Sequence, residues 1–459
     1  MSVTMEQIVQ LAKTRGFIYP GSEIYDGLAN SWDYGPLGAQ MRMNIKNDWW
    51  KRAVEQRQDM VGLDGAILMN PRVWEASGHT ESFTDPLVED KVTHKRYRAD
   101  HLIEAVVKDV NPDGMTVDQL NDLIKEHDIK SPDGNALTKV KTFNLMFETG
   151  IGKTEGDKMS VYLRPETAQA MFVNFKNILT TSRKRLPFGV AQIGKAFRNE
   201  ITPGNFTYRT LEFEQMEIEF FCEEEEWQEH FTAWHKWMQE WAENIGIDTS
   251  KLHDAEIEEE KLAHYSKRTV DFEFEFPFGT KELWGLAYRT DFDLRNHMEQ
   301  SGERLEYTDP NDNKRKIVPH VIEPTMGVDR TMLAILLSAY EEEEVEGDTR
   351  IVLRLKPHIA PYQIAVLPLS KKEELQGVSH EVTNKLGVSF RIDYDETQSI
   401  GKRYRRQDEI GTPYCVTVDF DSLEDQAVTV RDRDTMKQER IKIDELEAYF
   451  REKLSGIRD

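Results

Sequence analysis

Cysteine is scarce in this sequence, with only Cys222 and Cys415 among 459 residues. The two lie far apart and neither belongs to a CxxC pair, which argues against a disulfide framework and against a cysteine-ligated zinc site. We expect both to be small, buried, apolar residues.

Long apolar segments are missing as well. The sequence contains no run of 18 apolar residues and does not open with an apolar leader segment. We therefore expect no membrane association and a cytoplasmic location. With 39% hydrophobic and 31% charged residues, the composition is typical of a water-soluble globular protein large enough for two or three domains.

Positive charge is in deficit, since the net charge is −24, and this argues against binding of nucleic acid by the whole surface. The deficit is uneven, because residues 351–459 carry 18 Lys and Arg against 20 Asp and Glu. A local basic patch with Tyr404 interleaved could follow an RNA backbone and stack a base; a solvated helix face is the alternative. Its basic residues are Lys402, Arg403, Arg405 and Arg406.

A charged pair of predicted strands is the most informative pattern. Residues 197–200 (FRNE) and 209–217 (RTLEFEQME) flank a turn-rich segment, and alternation along the second strand puts charge on both of its faces. Charges on a sheet need partners. Arginine suits phosphate oxygens, glutamate can accept from an exocyclic amine, and Phe213 offers a stacking face. The pattern favours a nucleoside phosphate without a glycine-rich loop, although a salt-bridged hairpin would also account for it.

A second segment, residues 319–330 (PHVIEPTMGVDR), runs directly into the apolar helical stretch 331–337. Gly327 and Arg330 thus lie at a predicted strand-to-helix junction, where free backbone amides and the helix dipole favour anions. Together the two segments resemble motifs 2 and 3 of the class II aminoacyl-tRNA synthetases.

The resemblance covers most of the chain and narrows to the glycyl-tRNA synthetases of the homodimeric bacterial type. Residues 34–38 (YGPLG), the helical run through Trp49 and Trp50, and residues 69–71 (MNP) are similar to motif 1. Residues 163–169 (LRPETAQ) are similar to the amino-acid-binding loop, and residues 399–411 and 430–434 to the anticodon-binding domain.

This resemblance implies an α+β protein built on the antiparallel sheet of a class II catalytic domain. The first part of that domain, with motif 1, is expected in residues 1–85, and motifs 2 and 3 in residues 155–345. A small inserted domain is expected at 86–154, where Val117–Ile129 has helical periodicity. Residues 350–459 are expected to form an α/β anticodon-binding domain of alternating strands and helices.

The implied activity is a glycine–tRNA ligase that uses ATP and Mg²⁺ and has glycine and tRNA(Gly) as partners. A homodimer is expected because motif 1 forms a subunit interface in this class, with Pro71 ending its strand there. Two alternatives stay open: a catalytically inactive, synthetase-like accessory protein that binds nucleic acid, and a related enzyme for threonine, proline or histidine.

The resemblance also implies residue roles. Arg198 and Arg330 are the expected catalytic residues, on the α-phosphate and the terminal phosphates. The expected ATP-binding residues are Arg198, Glu200, Phe213, Glu282, Arg289 and Arg330, with Glu282 also the candidate Mg²⁺ ligand. The expected glycine-binding residues are Glu166, Glu217, Glu323 and Thr325. Lys402, Arg403, Arg405 and Arg406 are expected to bind tRNA.

The sequence departs from the family pattern in three places. Leu211 stands where Arg is usual, Thr325 where Ser is common, and Thr280-Lys281 where Trp-Gly is usual before Glu282. Thr325 keeps a hydroxyl, whereas Leu211 removes a cation beside the phosphate-binding strand.

Two further predictions concern local structure. Apolar residues, among them four tryptophans, recur every three or four positions over 223–241, which predicts an amphipathic helix whose tryptophans pack in the core. The acidic run 341–344, with Gly347, is expected to mark the linker to the last domain.

Overall fold

The computed structural model describes residues 3–107, 110, 112, 115–152, 158–345 and 347–455. The expected boundary between residues 154 and 155 lies outside the described residues. The helices are α1 Met5–Arg15, α2 Pro36–Trp50, α3 Arg72–Ala76, α4 His79–Ser82, α5 Ala99–Val106, α6 Val117–Glu126, α7 Ala168–Val173, α8 Phe175–Ser182, α9 Trp227–Ile245, α10 Phe292–Ser301, α11 Val328–Ala339, α12 Glu373–Gly387, α13 Ile400–Ile410, α14 Asp421–Asp425 and α15 Leu446–Ser455.

The strands are β1 Ile18–Pro20, β2 Trp32–Tyr34, β3 Met60–Gly62, β4 Thr84–Glu89, β5 Arg96–Arg98, β6 Lys141–Asn144, β7 Glu148–Ile151, β8 Met159–Tyr162, β9 Phe188–Phe197, β10 Glu212–Cys222, β11 Leu252–Glu256, β12 Arg268–Phe276, β13 Gly279–Thr290, β14 Tyr307–Thr308, β15 Lys316–Ile317, β16 His320–Gly327, β17 Tyr340–Val345, β18 Asp348–Leu353, β19 Ile364–Pro368, β20 Ile392–Tyr394, β21 Tyr414–Val418, β22 Ala427–Asp432 and β23 Gln438–Lys442.

A seven-stranded sheet in the order β11-β12-β13-β16-β10-β9-β3 organises the largest domain. Its pairs are antiparallel except β3 with β9. Along β10 the even positions Met216, Ile218 and Phe220 enter the main core, to which α9 and α11 contribute buried side chains. Because strand side chains alternate, Glu217 and Glu219 point to the opposite face, which carries the site described below.

Helix α9 has the amphipathic pattern that the sequence predicts. Trp234 and Trp241 are buried in the main core, and the Trp227 ring stacks 4.1 Å from that of Tyr288. These contacts pack α9 onto the sheet, so the predicted packing role of the tryptophans is confirmed. Glu224–Glu226, expected within the same element, form a short 3₁₀ turn ahead of it.

A small separate core lies in the segment expected as an insertion. Strands β5, β4 and β6 form a three-stranded sheet, on which α5 and α6 bury Ile103 and Leu120. The predicted helical stretch Val117–Ile129 contains α6, which begins with a Thr116 capping box.

Two local expectations are wrong. The acidic run 341–344 lies in β17, which pairs with β18 in a hairpin, because Arg350 and Arg354 supply ion-pair partners for its glutamates. Pro71 ends no strand; it precedes the short helix α3, as its fixed φ favours.

The C-terminal sheet has the order β20-β19-β21-β22-β23, with parallel pairing around β19 and antiparallel pairing beyond β21. Helices α12 and α15 cover it with Leu375 and Phe450, as a mixed α/β layer requires. Asn44 of α2 donates to the carbonyls of Ile359 and Ala360 at 3.1 and 2.9 Å and so ties the segment before β19 to α2. Within the described part of the chain, none of the helices has the length and apolar character needed to cross a membrane.

Candidate active site

One pocket forms where the β9–β10 connection, the start of β13 and the β16–α11 junction meet. Its walls include Arg198, Glu200, Tyr208, Phe213, Glu282, Gly327 and Arg330. These residues come from segments up to 132 positions apart in sequence (Arg198 to Arg330), and the antiparallel pairing of β10 with β16 brings them together.

The arginines of this pocket are positioned mainly by neutral groups. Arg198 Nε donates to the Pro165 carbonyl at 3.1 Å, and its guanidinium carbon lies 5.3 Å from the Phe213 ring centroid. Arg330, in the first turn of α11, donates to the carbonyls of Tyr208 and Glu282 at 3.1 and 3.2 Å. Carbonyl partners orient a guanidinium without cancelling its charge, so Arg198 remains able to attract an anion.

Among the described residues, Glu282 is the carboxylate that pairs directly with Arg330, at 3.0 Å, and its side chain is 48% exposed. The Arg330 guanidinium lowers the pKa of Glu282. Across the strand pair, Glu273 lies opposite Glu282. Burial, Glu282 and Glu273 together raise the pKa of the nearby Asp271 to about 7. The described residues form no group of three or more metal ligands, so a cation here would need further ligands from its substrate.

A network behind the pocket fixes the start of α11. Asp329 accepts from the Glu214 backbone amide at 2.8 Å and from the Tyr34 hydroxyl, and Arg42 lies 3.2 Å from Asp329. The Arg42 guanidinium stacks 3.9 Å from the Tyr34 ring centroid. Tyr34 belongs to the motif 1 segment, which therefore braces the helix that carries Arg330.

A second pocket adjoins the first and contains the predicted acidic residues. Its walls include Glu166, Glu217 and Glu323, which are 7%, 2% and 7% exposed. It shares Arg198, Gln215, Glu282 and Thr325 with the first pocket. The expected glycine-binding residues and, apart from Arg289, the expected ATP-binding residues thus line two adjoining pockets.

Each carboxylate of the acidic pocket has fixed partners. Glu166 Oε1 accepts from Gln169 Nε2 at 3.0 Å, and its Oε2 lies 3.2 Å from His79 Nε2. Glu217 accepts from the Thr325 hydroxyl at 3.0 Å, from the Thr167 amide at 3.1 Å and from the Thr167 hydroxyl.

The charge states in this pocket follow from burial and partners. Burial and Glu166 raise the pKa of Glu217, and burial with the neighbouring Glu217 and Glu166 carboxylates raises that of Glu323 to about 8. Burial also disfavours the ionised form of Glu166. The nearby His79 and, to a smaller extent, Arg289 outweigh the effect of burial, so the pKa of Glu166 is lowered. A cation beside Glu217 and Glu323 would therefore favour their ionised forms.

Arg289 lies elsewhere than expected. It is 1% exposed and does not line the nucleotide pocket; instead Nε and Nη2 donate to Asp293 at 2.8 and 3.0 Å and Nη1 to Glu323 at 2.7 Å. The Tyr265 ring stacks 3.7 Å from its guanidinium carbon. Two carboxylates already neutralise this guanidinium, so its position argues against contact with ATP phosphates and favours a role beneath the acidic pocket.

Several residues of this network were not predicted from the sequence. Thr167 and Gln169 lie in the quoted loop 163–169 and could have been noted there. His79 and Asp293 offered no sequence signal, because only the tertiary fold brings them to Glu166 and to Arg289.

The four basic residues of the predicted patch in the last domain differ in how deeply they are buried. Arg403 is 2% exposed and Nη1 donates to the carbonyls of Pro368 and Asp395 at 2.6 and 3.1 Å. Arg406 pairs with Asp395, while Lys402 is exposed and Arg405 half-buried. The expectation of direct RNA contact is therefore wrong for Arg403, since a buried guanidinium bonded to backbone carbonyls cannot reach a phosphate. Both cysteines are free and buried, as predicted.

Comparisons with known proteins agree with this geometry. Residues 151–339 match the model of the tRNA synthetase class II core domain (G, H, P, S and T), and residues 363–453 match that of the anticodon binding domain. The fold and the site thus define a class II aminoacyl-tRNA synthetase.

The full-length relatives are more specific. The chain is 55% identical to the glycine–tRNA ligase of Caldanaerobacter subterraneus, with 99% of each chain covered. It is 56% identical to that of Alkaliphilus oremlandii over 98% of each chain. It is 54% identical to that of Bacillus cereus over 98% of this chain and 99% of the relative. The protein belongs to the glycine–tRNA ligase family.

Proposed function

We propose that the protein activates glycine with ATP and transfers the glycyl group to the 3′ end of tRNA(Gly). The observation that carries this proposal is the continuity of the two pockets. The carboxylates of Glu166, Glu217 and Glu323 suit an ammonium group, and Arg198 and Arg330 suit phosphates in the adjoining pocket.

The first reaction needs no covalent nucleophile on the protein. A carboxylate oxygen of glycine attacks the α-phosphorus of ATP in line, the new P–O bond forms, and pyrophosphate leaves with the broken bond's electron pair. The protein positions the reactants and offsets the charge that develops on the phosphates. In this proposal Arg198 contacts the α-phosphate, Arg330 the terminal phosphates, Glu200 the adenine amine and Phe213 the adenine ring.

The second reaction consumes the adenylate. A ribose hydroxyl of the terminal tRNA nucleotide attacks the glycyl carbonyl carbon, the ester bond forms, and AMP leaves. The anticodon-binding domain provides a second contact with the tRNA, for which the exposed Lys402 and the half-buried Arg405 are better placed than Arg403.

Mg²⁺ fits the edge of the nucleotide pocket. Glu282 offers a hard carboxylate oxygen beside the expected phosphates, and Mg²⁺ usually binds such sites through one or two carboxylates and substrate phosphates. A bound Mg²⁺ would neutralise phosphate charge.

Glycine is selected by refusing larger amino acids, since it has no side chain to grasp. Overpacking a rigid pocket by one methyl group costs about 1–3 kcal/mol, and glycine has no smaller competitor. The buried network around Glu217, with Thr167 and Thr325 bonded to it, supplies the required rigidity.

We also propose a cytoplasmic homodimer, on the strength of the family. The motif 1 segment that would form its interface is the one that holds Asp329 through Tyr34, so assembly and nucleotide binding would share a structural element.

Amino-acid-dependent ATP–pyrophosphate exchange without tRNA tests the proposal directly. We expect exchange with glycine alone among the twenty amino acids. Exchange with another amino acid would keep the class and overturn the substrate, and no exchange by folded protein would favour a synthetase-like accessory protein.

A further inference from the structure

Glu219 is a buried carboxyl group for which the proposed mechanism has no role. It lies on β10 two residues after Glu217, on the same face of the sheet, and is 0% exposed. Neither of its carboxyl oxygens has a hydrogen-bond partner among the described residues. Glu166, Glu217 and Glu323 each accept from a protein donor, so the unpartnered carboxyl group of Glu219 beside them needs an explanation.

The strand register identifies its neighbour. Glu217 pairs with Thr325 and Phe220 with Ile322 on β16, and this antiparallel register puts Glu219 directly opposite Glu323. On its other side Glu219 pairs with the apolar Val190 of β9. Residues opposite each other on neighbouring strands have Cβ atoms about 4.5–5.5 Å apart, so the two carboxyl groups lie within reach of one another.

Most of the charged groups around Glu219 are acidic. The groups that act on Glu219 are Glu217 on its own strand, Glu323 on β16, Arg289 on β13 and Asp293 on α10. Arg289 is the only guanidinium in that set, and its bonds go to Asp293 and Glu323. An ionised Glu219 would lie in the protein interior with no donor, whereas a protonated Glu219 requires an acceptor, and the register supplies Glu323.

We propose that Glu219 is a positioning residue of the glycine pocket: it stays a neutral carboxylic acid that donates a hydrogen bond to Glu323 and so favours the ionised form of Glu323 when the substrate's amino group binds. Burial and Glu323 raise the pKa of Glu219 well above its ordinary value, in agreement with this arrangement. Two opposed carboxyl groups that hold one proton are a stable arrangement where both could not be ionised. This inference rests on the proposed function for the identity of the amino group.

The expected consequence is an ammonium-binding site in which the proton on Glu219 controls the charge of Glu323. A proton on Glu219 stabilises the ionised form of Glu323 through a hydrogen bond, while it keeps a second negative charge away from the pocket floor. Arg289 holds the opposite side of Glu323 at 2.7 Å, so the carboxylate is fixed in orientation before glycine arrives.

Two substitutions with opposite expectations test the proposal. Glu219→Gln retains a neutral donor of the same shape, and we expect the KM for glycine in pyrophosphate exchange to stay within about threefold of the parent. Glu219→Met removes the donor, and we expect that KM to rise roughly tenfold while the KM for ATP stays constant, because one hydrogen bond to a charged group is lost. Ile218→Val, on the opposite face of β10, is the matched control for disturbance of the strand.

The pH profile separates positioning from a purely structural role. In Glu219→Met the rise of kcat/KM for glycine with pH is expected to shift to higher pH, because Glu323 loses the donor that favours its ionised form; in Glu219→Gln it should stay in place. Equal defects in both variants would mean that Glu219 acts as a charge, and parent-like behaviour of both would mean that it has no role in the pocket. Either result overturns the proposal.

Infrared difference spectroscopy keeps the test independent of activity. The ligand-free parent should show a carbonyl band of a neutral carboxylic acid that Glu219→Gln loses and Ile218→Val retains. Loss of no band would refute the neutral acid even if glycine exchange is normal. If the parent fails to exchange with glycine but the band is present, the proposed function fails and the protonation of Glu219 stands.

Discussion

The two adjoining pockets both contain charged side chains, but they differ in how far these side chains are buried and in which groups bond to them. In the acidic pocket the carboxylates are nearly inaccessible and each of Glu166, Glu217 and Glu323 has a dedicated protein donor. In the first pocket, proposed to bind the nucleotide, the Arg330 and Glu282 side chains are 23% and 48% exposed. Arg198 and Arg330 donate to backbone carbonyls there.

Under the proposed function, the difference follows from the ligand of each pocket. A polyanion brings enough charge to displace weak partners and water, so exposed arginines with neutral supports suffice. A small zwitterion brings one ammonium, so its pocket must be dry and already oriented, at the cost of carboxyl groups whose ionisation is unfavourable until the substrate arrives. Five predictions test this comparison.

The largest effect is expected at the nucleotide pocket. Arg198→Ala should lower glycine-dependent pyrophosphate exchange roughly a thousandfold, as for loss of a preorganised group at a developing charge. Stability should change little, because Arg198 is partly exposed and donates to a single carbonyl. Arg268→Ala, which breaks an exposed pair with Glu256, is the control and should keep its activity; an Arg198→Ala enzyme within tenfold of the parent would contradict the assignment.

A smaller and more selective effect is expected at the acidic pocket. Glu217→Gln should raise the KM for glycine by roughly 10- to 100-fold, since a hydrogen bond to a charged group contributes about 1.5–3 kcal/mol. The KM for ATP should not move. Glu275→Gln, the same change at an exposed residue paired with His253, serves as the control. A matching rise in the KM for ATP would mean that the two pockets are not separate in function.

The pH dependence of glycine binding should reveal the buried carboxyl groups. Burial raises the pKa of Glu323 to about 8, and the ionised form is the one that attracts ammonium. The KM for glycine should therefore fall severalfold as the pH rises from about 6 to about 8. The KM for ATP, which depends on arginines, should stay level over the same range.

Stability should change in the opposite direction. A group with a raised pKa in the folded state stabilises fully below its unfolded pKa and loses that contribution as the pH rises through the folded pKa. Thermal unfolding of the ligand-free protein should accordingly occur at lower temperature near pH 8 than near pH 6, other groups being equal, and saturating glycine should narrow the gap. A gap that glycine leaves unchanged would place the titrating group outside the pocket.

The smallest effect on activity is expected in the last domain, where the basic residue Arg403 is buried and its neighbour Lys402 is exposed. Arg403→Ala should destabilise that domain by about 2–3 kcal/mol, since the Pro368 and Asp395 carbonyls lose a buried donor, and should leave pyrophosphate exchange unchanged. Lys402→Ala is the matched exposed control. It should leave stability intact and raise the KM for tRNA about threefold, because one exposed cation is lost. Equal unfolding curves for the two variants would refute the structural role of Arg403.

Much of the architecture was readable from local patterns. Alternation along residues 209–217, the strand-to-helix change after Gly327 and the spacing of tryptophans in 223–241 each depend on neighbours in sequence, and each corresponds to β10, the β16–α11 junction or α9. Apolar residue type alone does not predict where β20 begins in the last domain. Val388 is 87% exposed and the strand starts only at Ile392, because the preceding residues turn away from the sheet.

The sequence alone determined which side chains carry charge, in what order, and on which strands or helix ends they lie, because these properties depend on residue type and local periodicity. Tertiary structure alone decided which of them are buried and with whom they pair: Arg289 with Asp293 and Glu323, Arg403 with backbone carbonyls, and Glu219 with no donor. Charge state and availability depend on burial and on partners from distant segments, and these exist only once the chain has folded.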